Sequence, residues 1–386
     1  MKISTFIVLM ISLSSCVSDK TIESSSKYVT MVKPTTTEEE IPFDSIVESY
    51  RYVQLETSPK CLIGEVEQLL LEDDRIYVVS NGVYCFNKAG KFLFSVDKKG
   101  RGPGEFVTIN SVSLSNGRLY IHDCGERKVL SFNSKTGVFA GEKAIPYPVP
   151  RLYVADSTYI VDRSEFTSTL VKNDERFYIC NQDSPEKAAE AFFPEKKDKI
   201  LILGQLTTCD GGKFYTDYYN NKAYKITKMG VEPYFELSIE KGRSLTDKEK
   251  ELLIKDRQIS NTSIRDKKRI FGMTHTLECK DFIFAQYSYG DQPAYIFFDK
   301  STKKERIFEY TKSKGHQWPP VDVSASQGDY FCSIISAGNV ALKKSLIEVG
   351  EDLPANDPEY NEQSIYKNNK PEDNPIVVFY KLKHIK

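Results

Sequence analysis

The fold is decided by residues 66–96, which read VEQLLLEDDRIYVVSNGVYCFNKAGKFLFSV. Four short apolar segments alternate in this stretch with the polar or glycine turns Glu72-Asp73-Asp74, Asn81-Gly82 and Lys88-Ala89-Gly90. Segments rich in Val, Tyr and Phe that are bounded by such turns are typical of strands joined by hairpins. The stretch therefore predicts four antiparallel strands in a meander.

The same four-segment pattern recurs along the chain, first in residues 107–143. A polar or glycine turn that leads into apolar and aromatic residues marks the second strand of each unit, and it occurs at residues 73–77, 115–120, 156–160, 212–215, 280–284 and 328–331. These turns are spaced by roughly 40 to 70 residues, which is the repeat of a four-stranded propeller blade with insertions. Since one blade cannot bury both of its faces, we predict an all-β, six-bladed β-propeller of four-stranded antiparallel blades.

Two strands at the ends of the body are candidates for closing the ring. Residues 48–56 lie upstream of the first blade, and residues 374–382 lie at the extreme C-terminus. We predict that they pair within one blade, because this pairing leaves no open edge there. Short helical insertions are predicted at residues 184–190, 246–259 and 341–370, and the second begins with the capping box Thr246-Asp247-Lys248-Glu249.

The N-terminus predicts a secretion signal that ends in a lipobox. An apolar run from Ile3 to Leu13 follows Lys2 and leads into Leu13-Ser14-Ser15-Cys16. A run of about eleven residues is too short to span a bilayer, which takes about twenty. We predict a signal peptide over residues 1–15, a lipidated Cys16 at the start of a flexible Ser- and Thr-rich tether over residues 16–41, and the propeller over residues 42–386. An ordinary cleaved signal with an incidental cysteine is the alternative.

Charge and cysteine usage limit the possible functions. The 53 basic and 54 acidic residues give a net charge of −1, which argues against nucleic acid as a partner. Seven cysteines remain after Cys16, an odd number without a C-x-x-C pair, so we predict no zinc site of ordinary spacing and mostly buried thiols inside strands. The sequence leaves open which of them form disulfides. We predict no cofactor and a monomeric protein.

The densest motif of the body is Lys99-Gly100-Arg101-Gly102-Pro103-Gly104-Glu105-Phe106. It does not fit a dinucleotide fingerprint, because Glu105 stands where a small residue is required and a β-rich segment follows. We interpret it as the link from the outer strand of blade one to the inner strand of blade two, in which the glycines permit positive φ. Arg101 and Glu105 either pair with each other or with a neighbouring blade, or they point into a ligand face, and both are candidate binding residues.

Three features resemble a known family: this glycine motif, the lipobox, and the terminal residues Asn374-Pro375-Ile376-Val377-Val378-Phe379-Tyr380. Together they resemble the six-bladed β-propeller lipoprotein family of Gram-negative gut bacteria, which is related in fold to NHL-type propellers. The resemblance covers nearly the whole mature chain. It implies a lipid-anchored propeller, and it transfers no catalytic residue because the family carries no established reaction.

Three further places contain residue types that occur in functional sites. His122-Asp123-Cys124 resembles part of a nucleophile constellation, but adjacent strand residues point to alternating faces and cannot form one relay. His275 is predicted to line the central channel. Trp318, the only tryptophan, is either an exposed platform for a sugar or protein partner or a packing residue against Pro319 and Pro320.

Two function classes follow from these features. The first is a binding or scaffold propeller on a lipid tether that contacts a glycan, a peptide or an envelope protein. The alternative is a lyase or hydrolase with a metal in the central channel, since peptide-amidating lyases with NHL-like propellers assemble such sites across blades. We favour the non-enzymatic class, with no catalytic residue assigned. We expect the protein in the cell envelope, anchored by lipid to the outer membrane, with its periplasmic or surface face left open.

Overall fold

The computed structural model describes residues 25–32, 43–162, 175–194, 206–209, 212–217, 221–249, 269–289, 292–309, 323–340 and 369–386. These residues form six sheets arranged as a propeller, which confirms the predicted fold class. The predicted lipidation residue Cys16 and the candidate Trp318 lie outside the described residues, as does most of the predicted insertions at 246–259 and 341–370. Within the described part of the chain, no helix has the length and apolar character needed to cross a membrane.

Two strands precede the first blade, and three blades follow them in chain order. The early strands are β1 (Tyr28–Val32) and β2 (Val47–Gln54), with a 3-10 helix at Phe43–Ile46 directly before β2. Blade one contains β3 (Gln68–Glu72), β4 (Arg75–Val79), β5 (Val83–Asn87) and β6 (Phe92–Val96). Blade two contains β7 (Ser111–Ser115), β8 (Arg118–Asp123), β9 (Lys128–Asn133) and β10 (Phe139–Ala144). Blade three contains β11 (Arg151–Ala155), β12 (Thr158–Asp162), β13 (Glu175–Asn181) and β14 (Ala188–Pro194).

The remaining three blades complete the ring. Blade four contains β15 (Leu206–Cys209), β16 (Gly212–Asp217), β17 (Lys222–Thr227) and β18 (Gly230–Ile239). Blade five contains β19 (Ile270–Glu278), β20 (Phe282–Tyr289), β21 (Gln292–Asp299) and β22 (Glu305–Glu309). Blade six contains β23 (Ala325–Gln327), β24 (Tyr330–Ile335) and β25 (Ile376–Leu382). Five of the six predicted turns lead into the second strand of a blade, and the residues of the sixth, 212–215, lie within the second strand β16 itself.

The two ends of the body close the ring in blade six, as predicted. β2 pairs antiparallel with β25, and β25 pairs antiparallel with β24. Asn374 reinforces this closure: its side-chain Nδ2 donates to the backbone oxygens of Glu56 and Cys61 at 2.6 Å each, and its Oδ1 accepts from the backbone N–H of Ile63 at 2.9 Å. The C-terminal segment is thus bonded both to the early strand β2 and to the chain that enters blade one.

The predicted tether includes a strand that the sequence did not indicate. β1 pairs in parallel with β18 and adds a fifth strand to blade four. Its Thr30 and Val32 are buried, while Val29 and Met31 are exposed. A flexible tether is therefore wrong for these five residues, because their backbone is bonded to a blade and one face of the strand packs on it.

Two other boundaries differ from the prediction. The residues predicted as a short helix at 184–190 form a turn followed by β14, because pairing with β13 overrides the helix propensity of the Ala- and Glu-rich segment. The strand predicted from Val107 begins only at Ser111. The carboxylate of Asp123 accepts hydrogen bonds from the backbone N–H groups of Val107 at 2.6 Å and Thr108 at 3.3 Å, which holds this segment in the interblade link.

The predicted capping box at Thr246 is present, because Thr246 Oγ1 accepts a hydrogen bond from the Glu249 N–H at 3.3 Å.

The apolar core is divided among the spaces between neighbouring blades. One cluster combines Val79 of blade one with Val112 and Ile121 of blade two, and another combines Ile160 of blade three with Ile226 of blade four. Six of the seven cysteines are buried, as predicted, and Cys124 is half-buried. Since each blade buries its faces against two neighbours, the inner strands are held around a common axis.

The turn after β21 is fixed by a buried carboxylate that also holds the C-terminal tail. Asp299 Oδ1 accepts from the Ser301 N–H at 2.8 Å and its hydroxyl at 2.6 Å, and Oδ2 accepts from the Ile385 N–H at 3.0 Å. Burial raises the pKa of Asp299, but these hydrogen bonds and one from His384 outweigh it and hold the pKa below its usual value. The ionised form therefore stabilises the native state.

We predict that Asp299→Asn removes part of the acid sensitivity of the protein. A group whose pKa is depressed on folding contributes stability above its unfolded pKa of about 3.9, and this contribution is lost as the pH falls. At pH 7 the variant should lose about 2 kcal/mol, the worth of a hydrogen bond to a charged group. Urea unfolding between pH 7 and pH 3 measures both effects. The control is Asp97→Asn at an exposed position, and equal losses of stability on acidification in wild type and Asp299→Asn would contradict the assignment.

Candidate functional site

The inner strands of the six blades surround a central cavity of about 750 Å³. Each inner strand, β3, β7, β11, β15, β19 and β23, contributes lining residues. Neighbouring inner strands are joined by side-chain hydrogen bonds. Ser113 Oγ accepts from the Val154 N–H at 3.0 Å, and Ser326 Oγ donates to the backbone oxygen of Glu278 at 2.6 Å. These bonds tie neighbouring inner strands together along the cavity wall.

Three polar side chains of the wall are available to a ligand. Gln68 and Arg151 are the first residues of β3 and β11, and Gln286 of β20 pairs with His275 of β19. All three line the cavity, and none makes a side-chain hydrogen bond or ion pair within the described residues. They come from blades one, three and five. This arrangement offers two amides and one guanidinium from alternate blades to a single polar ligand.

His275 lies in the cavity wall, where the sequence placed it. Its Nε2 is 3.1 Å from the backbone oxygen of Val323, and its ring is edge-on to Phe284. Burial lowers the pKa of His275 to about 4, so the imidazole is neutral at neutral pH. A neutral imidazole that contacts Val323 borders the site as a polar wall residue and brings no positive charge.

The other two described candidates lie on the interblade link and do not line the cavity. Arg101 is exposed, and its Nε donates to Glu126 Oε1 of blade two at 3.0 Å. Glu105 Oε2 accepts from the Gly102 N–H at 2.9 Å and lies against Gly100. Of the two alternatives left open by the sequence, Arg101 therefore adopts the pairing with a neighbouring blade, while Glu105 closes the turn of its own motif.

His122-Asp123-Cys124 does not form a relay. The His122 ring is buried, and neither of its nitrogens has a hydrogen-bond partner among the described residues. Asp123 instead binds the interblade link, and it also accepts from the Thr108 hydroxyl at 2.9 Å. Burial lowers the pKa of His122 to about 4. The motif is therefore a structural tie with a neutral, buried imidazole beside it.

A second Ser-His-Asp grouping was missed by sequence reasoning because its members are far apart in the chain. Ser301 Oγ is 3.2 Å from His384 Nδ1, and His384 Nδ1 is 3.0 Å from Asp299 Oδ2. A nucleophile relay requires the serine and the carboxylate on opposite ring nitrogens, whereas both contacts here fall on Nδ1. The grouping is a turn with a C-terminal tail bonded to it.

Charged groups are unevenly distributed around the cavity. Glu67 and Glu72 of the wall belong to blade one, while Arg151 belongs to blade three. Within the residues that the structure describes, no three His, Cys, Asp or Glu side chains are grouped as metal ligands. The described wall thus offers hydrogen bonds and isolated charges to a ligand.

Sequence reasoning did not identify Gln68, Arg151 or Gln286. Each stands alone among strand residues, and nothing in its immediate neighbours marks it as functional. One feature is shared: Gln68 and Arg151 are polar residues that begin the inner strands β3 and β11 of the structure. Using it would have required the blade register that only the closed ring supplies.

Comparison with known proteins gives a family match and a fold match. A family model described as "Domain of unknown function (DUF4934)" matches residues 27–381. A protein from Bacteroides fragilis NCTC 9343 that is described as exported has a solved structure with a TM-score of 0.74 and 17% identity, over 92% of this chain and 99% of that chain. At this identity the likeness shows the fold alone.

Two further solved structures are more distant. BamB from Moraxella catarrhalis has a TM-score of 0.36 and 11% identity, over 87% of this chain and 99% of that chain. AztD from Citrobacter koseri has a TM-score of 0.35 and 9% identity, over 63% of this chain and 61% of that chain. Likenesses this weak carry no functional argument. Among curated proteins, none matches the chain.

Proposed function

Because this chain belongs to the DUF4934 family, a domain of unknown function, we propose a role from the geometry of its own channel. The protein is a binding module whose central cavity holds a small polar ligand, such as part of a glycan or a peptide. The observation that carries this proposal is the group Gln68, Arg151 and Gln286, whose side chains line one cavity and have no hydrogen-bond partner among the described residues. A polar ligand supplies partners for all three at once.

The dimensions and chemistry of the cavity favour such a ligand. About 750 Å³ falls within the range of small-molecule sites, which is about 300–1,000 Å³. The wall is rigid, because hydrogen bonds such as that from the Val154 N–H to Ser113 Oγ join its strands. A preformed wall lowers the ordering cost of binding, so modest contacts suffice for useful affinity.

We propose further that the protein acts in the cell envelope, held to the outer membrane by lipid on Cys16. The lipobox Leu13-Ser14-Ser15-Cys16 supports this, and the description of the Bacteroides fragilis protein as exported agrees with it. β1 begins 12 residues after Cys16, so the lipid would hold the outer edge of blade four within about 40 Å of the bilayer. An envelope protein is the alternative partner, bound at the propeller surface.

The proposal is tested with glycan and peptide arrays probed by the purified full-length protein. Hits are then titrated while tryptophan fluorescence is recorded, a signal that reports on Trp318 alone. We expect at least one hit whose affinity falls about tenfold or more, or about 1.4 kcal/mol, in the double variant Gln68→Ala and Gln286→Ala. Isothermal titration gives the affinity where the fluorescence is silent.

A matched control separates the channel from the surface. Gln182→Ala removes a half-buried amide outside the cavity, which donates to the backbone oxygen of Asp156 at 2.8 Å, and it should leave binding unchanged. If every hit binds the double variant as tightly as wild type, the channel is not the site. If that binding is lost only in variants of the outer surface, the envelope-protein alternative is favoured.

A further inference from the structure

A buried lysine lies behind the cavity wall between blades three and four. Lys213 of β16 is 4% exposed, and its Nζ donates to Thr208 Oγ1 at 2.8 Å. The same Nζ is 4.7 Å from the centre of the Tyr153 ring. Thr208 and Tyr153 both line the cavity. The ammonium is therefore separated from the cavity by the two side chains that it contacts.

This cation has no counter-charge in the described part of the protein. Neither Lys213 nor Arg151 forms an ion pair with a described carboxylate. Burial lowers the pKa of Lys213 from 10.5 to about 8. Burying a charge without a counter-charge is costly, and a ligand of opposite charge would offset this cost.

The carboxylates of the cavity lie away from these two cations. Glu67 and Glu72 belong to blade one, which is opposite blade four in a sequential ring of six. Glu72 also accepts a long hydrogen bond from the Tyr77 hydroxyl, at 3.5 Å. Asp162 of β12 is the buried cross-strand partner of Arg151, so blade three also holds a carboxylate behind the wall. Among the residues that line the cavity, the carboxylates lie on blade one and the guanidinium on blade three, which favours an anionic group beside blades three and four.

We propose that the channel ligand carries an oxyanion that binds the guanidinium of Arg151, with the charge of Lys213 stabilising it through the wall of Thr208 and Tyr153. This inference rests on the proposed function of the channel. A guanidinium presents parallel donors that match a carboxylate or a sulfate, so an acidic or sulfated saccharide and a peptide with a free carboxylate share the chemistry required.

The test uses ligand pairs that differ in a single kind of group. Oligogalacturonate is compared with neutral oligogalactose, a sulfated disaccharide with its unsulfated form, and a peptide acid with its amide. Each is titrated into full-length wild type, Arg151→Gln and Lys213→Met. We expect one charged member to bind wild type at least about tenfold more tightly than its neutral match, and more weakly as salt is raised.

The variants identify the groups responsible. Arg151→Gln should reduce the preference for the charged member to about twofold or less, and Lys213→Met should weaken that member about threefold while leaving its neutral match unchanged. Above pH 8 the charged member should bind wild type less tightly, because Lys213 loses its proton, and Lys213→Met should lack this pH dependence. Arg118→Gln, an exposed arginine of β8 outside the cavity, is the control and should bind like wild type.

The outcomes separate the two proposals. The pair that shows the preference identifies the oxyanion as carboxylate or sulfate and as borne by a saccharide or a peptide. If charged and neutral members bind equally but binding still depends on Gln68 and Gln286, the oxyanion inference is overturned and the channel function stands. If no member of any pair binds, both are overturned.

Discussion

Removal of the C-terminal strand is expected to unfold the whole propeller. A chain that stops at Asn374 lacks β25, which is hydrogen-bonded to β2 on one side and to β24 on the other. The strand also contributes Val377 and Phe379 to the cluster between blades six and one, and Tyr380 to the cluster between blades five and six. Its loss therefore opens the ring and exposes two interblade surfaces.

The size of the effect follows from the burial of this strand. Ile376, Val377, Val378, Phe379, Tyr380 and Leu382 are all buried. At about 1.5–3 kcal/mol for each large apolar side chain, their loss approaches or exceeds the total stability of a typical domain, about 5–15 kcal/mol. We expect no cooperative thermal transition by circular dichroism. The control, removal of the exposed Lys386 alone, should melt like wild type, and a truncated chain with an unchanged melting temperature would refute the closure mechanism.

The repeat could be predicted from sequence because its signals are local. The turn before the second strand of a blade needs a residue that tolerates positive φ, and Asp73, Asn116 and Asp156 have φ of 50°, 51° and 53°. The apolar and aromatic residues that follow then enter a buried strand. Both requirements act within about six residues, so the local sequence is enough to predict these turns and strands without knowledge of the ring.

The errors arose where a distant partner decides the local structure. The Ala- and Glu-rich segment of β14 favours a helix in isolation, and only pairing with β13 makes it a strand. β1 has only five residues and polar flanking segments, so the sequence does not indicate a strand there, and its partner β18 is about 200 residues away in the chain. Val107 and Thr108 have strand-like sequence, but the Asp123 carboxylate takes their N–H groups.

The candidate site was less predictable than the fold for the same reason. Arg101 and Glu105 were predicted as binding residues because they lie in the glycine-rich motif, yet their side chains stabilise the link between blades. The channel residues Gln68, Arg151 and Gln286 come together only when six inner strands share one axis. His275 could be placed because it lies in an apolar strand at the expected inner position, which is a local property. The densest motif of the sequence thus fixes the backbone of an interblade link, whereas the side chains that could contact a ligand are dispersed over the repeats.

The closest backbone approach at the ring closure is expected to make Gly90 intolerant of any side chain. Gly90 lies in the turn between β5 and β6 with φ of 80°, and its carbonyl accepts the Glu56 N–H at 2.8 Å. A Cβ atom there would lie 2.1 Å from the backbone oxygen of Gln54. Gln54 is the last residue of β2, which pairs with β25, so it cannot withdraw without disturbing blade six.

Gly117→Ala is the matched control, because Gly117 has a similar φ of 68° but no heavy atom within 4 Å of a built Cβ. The control measures the conformational penalty alone, about 1–2 kcal/mol. Gly90→Ala adds a clash with main chain, which costs about 1–3 kcal/mol in packed sites, so a total loss of about 2–5 kcal/mol is expected from urea unfolding. Equal losses of unfolding free energy in the two variants would contradict the clash. They would mean that positive φ alone requires glycine at position 90, and that the backbone of Gln54 can move away from an added Cβ without loss of stability.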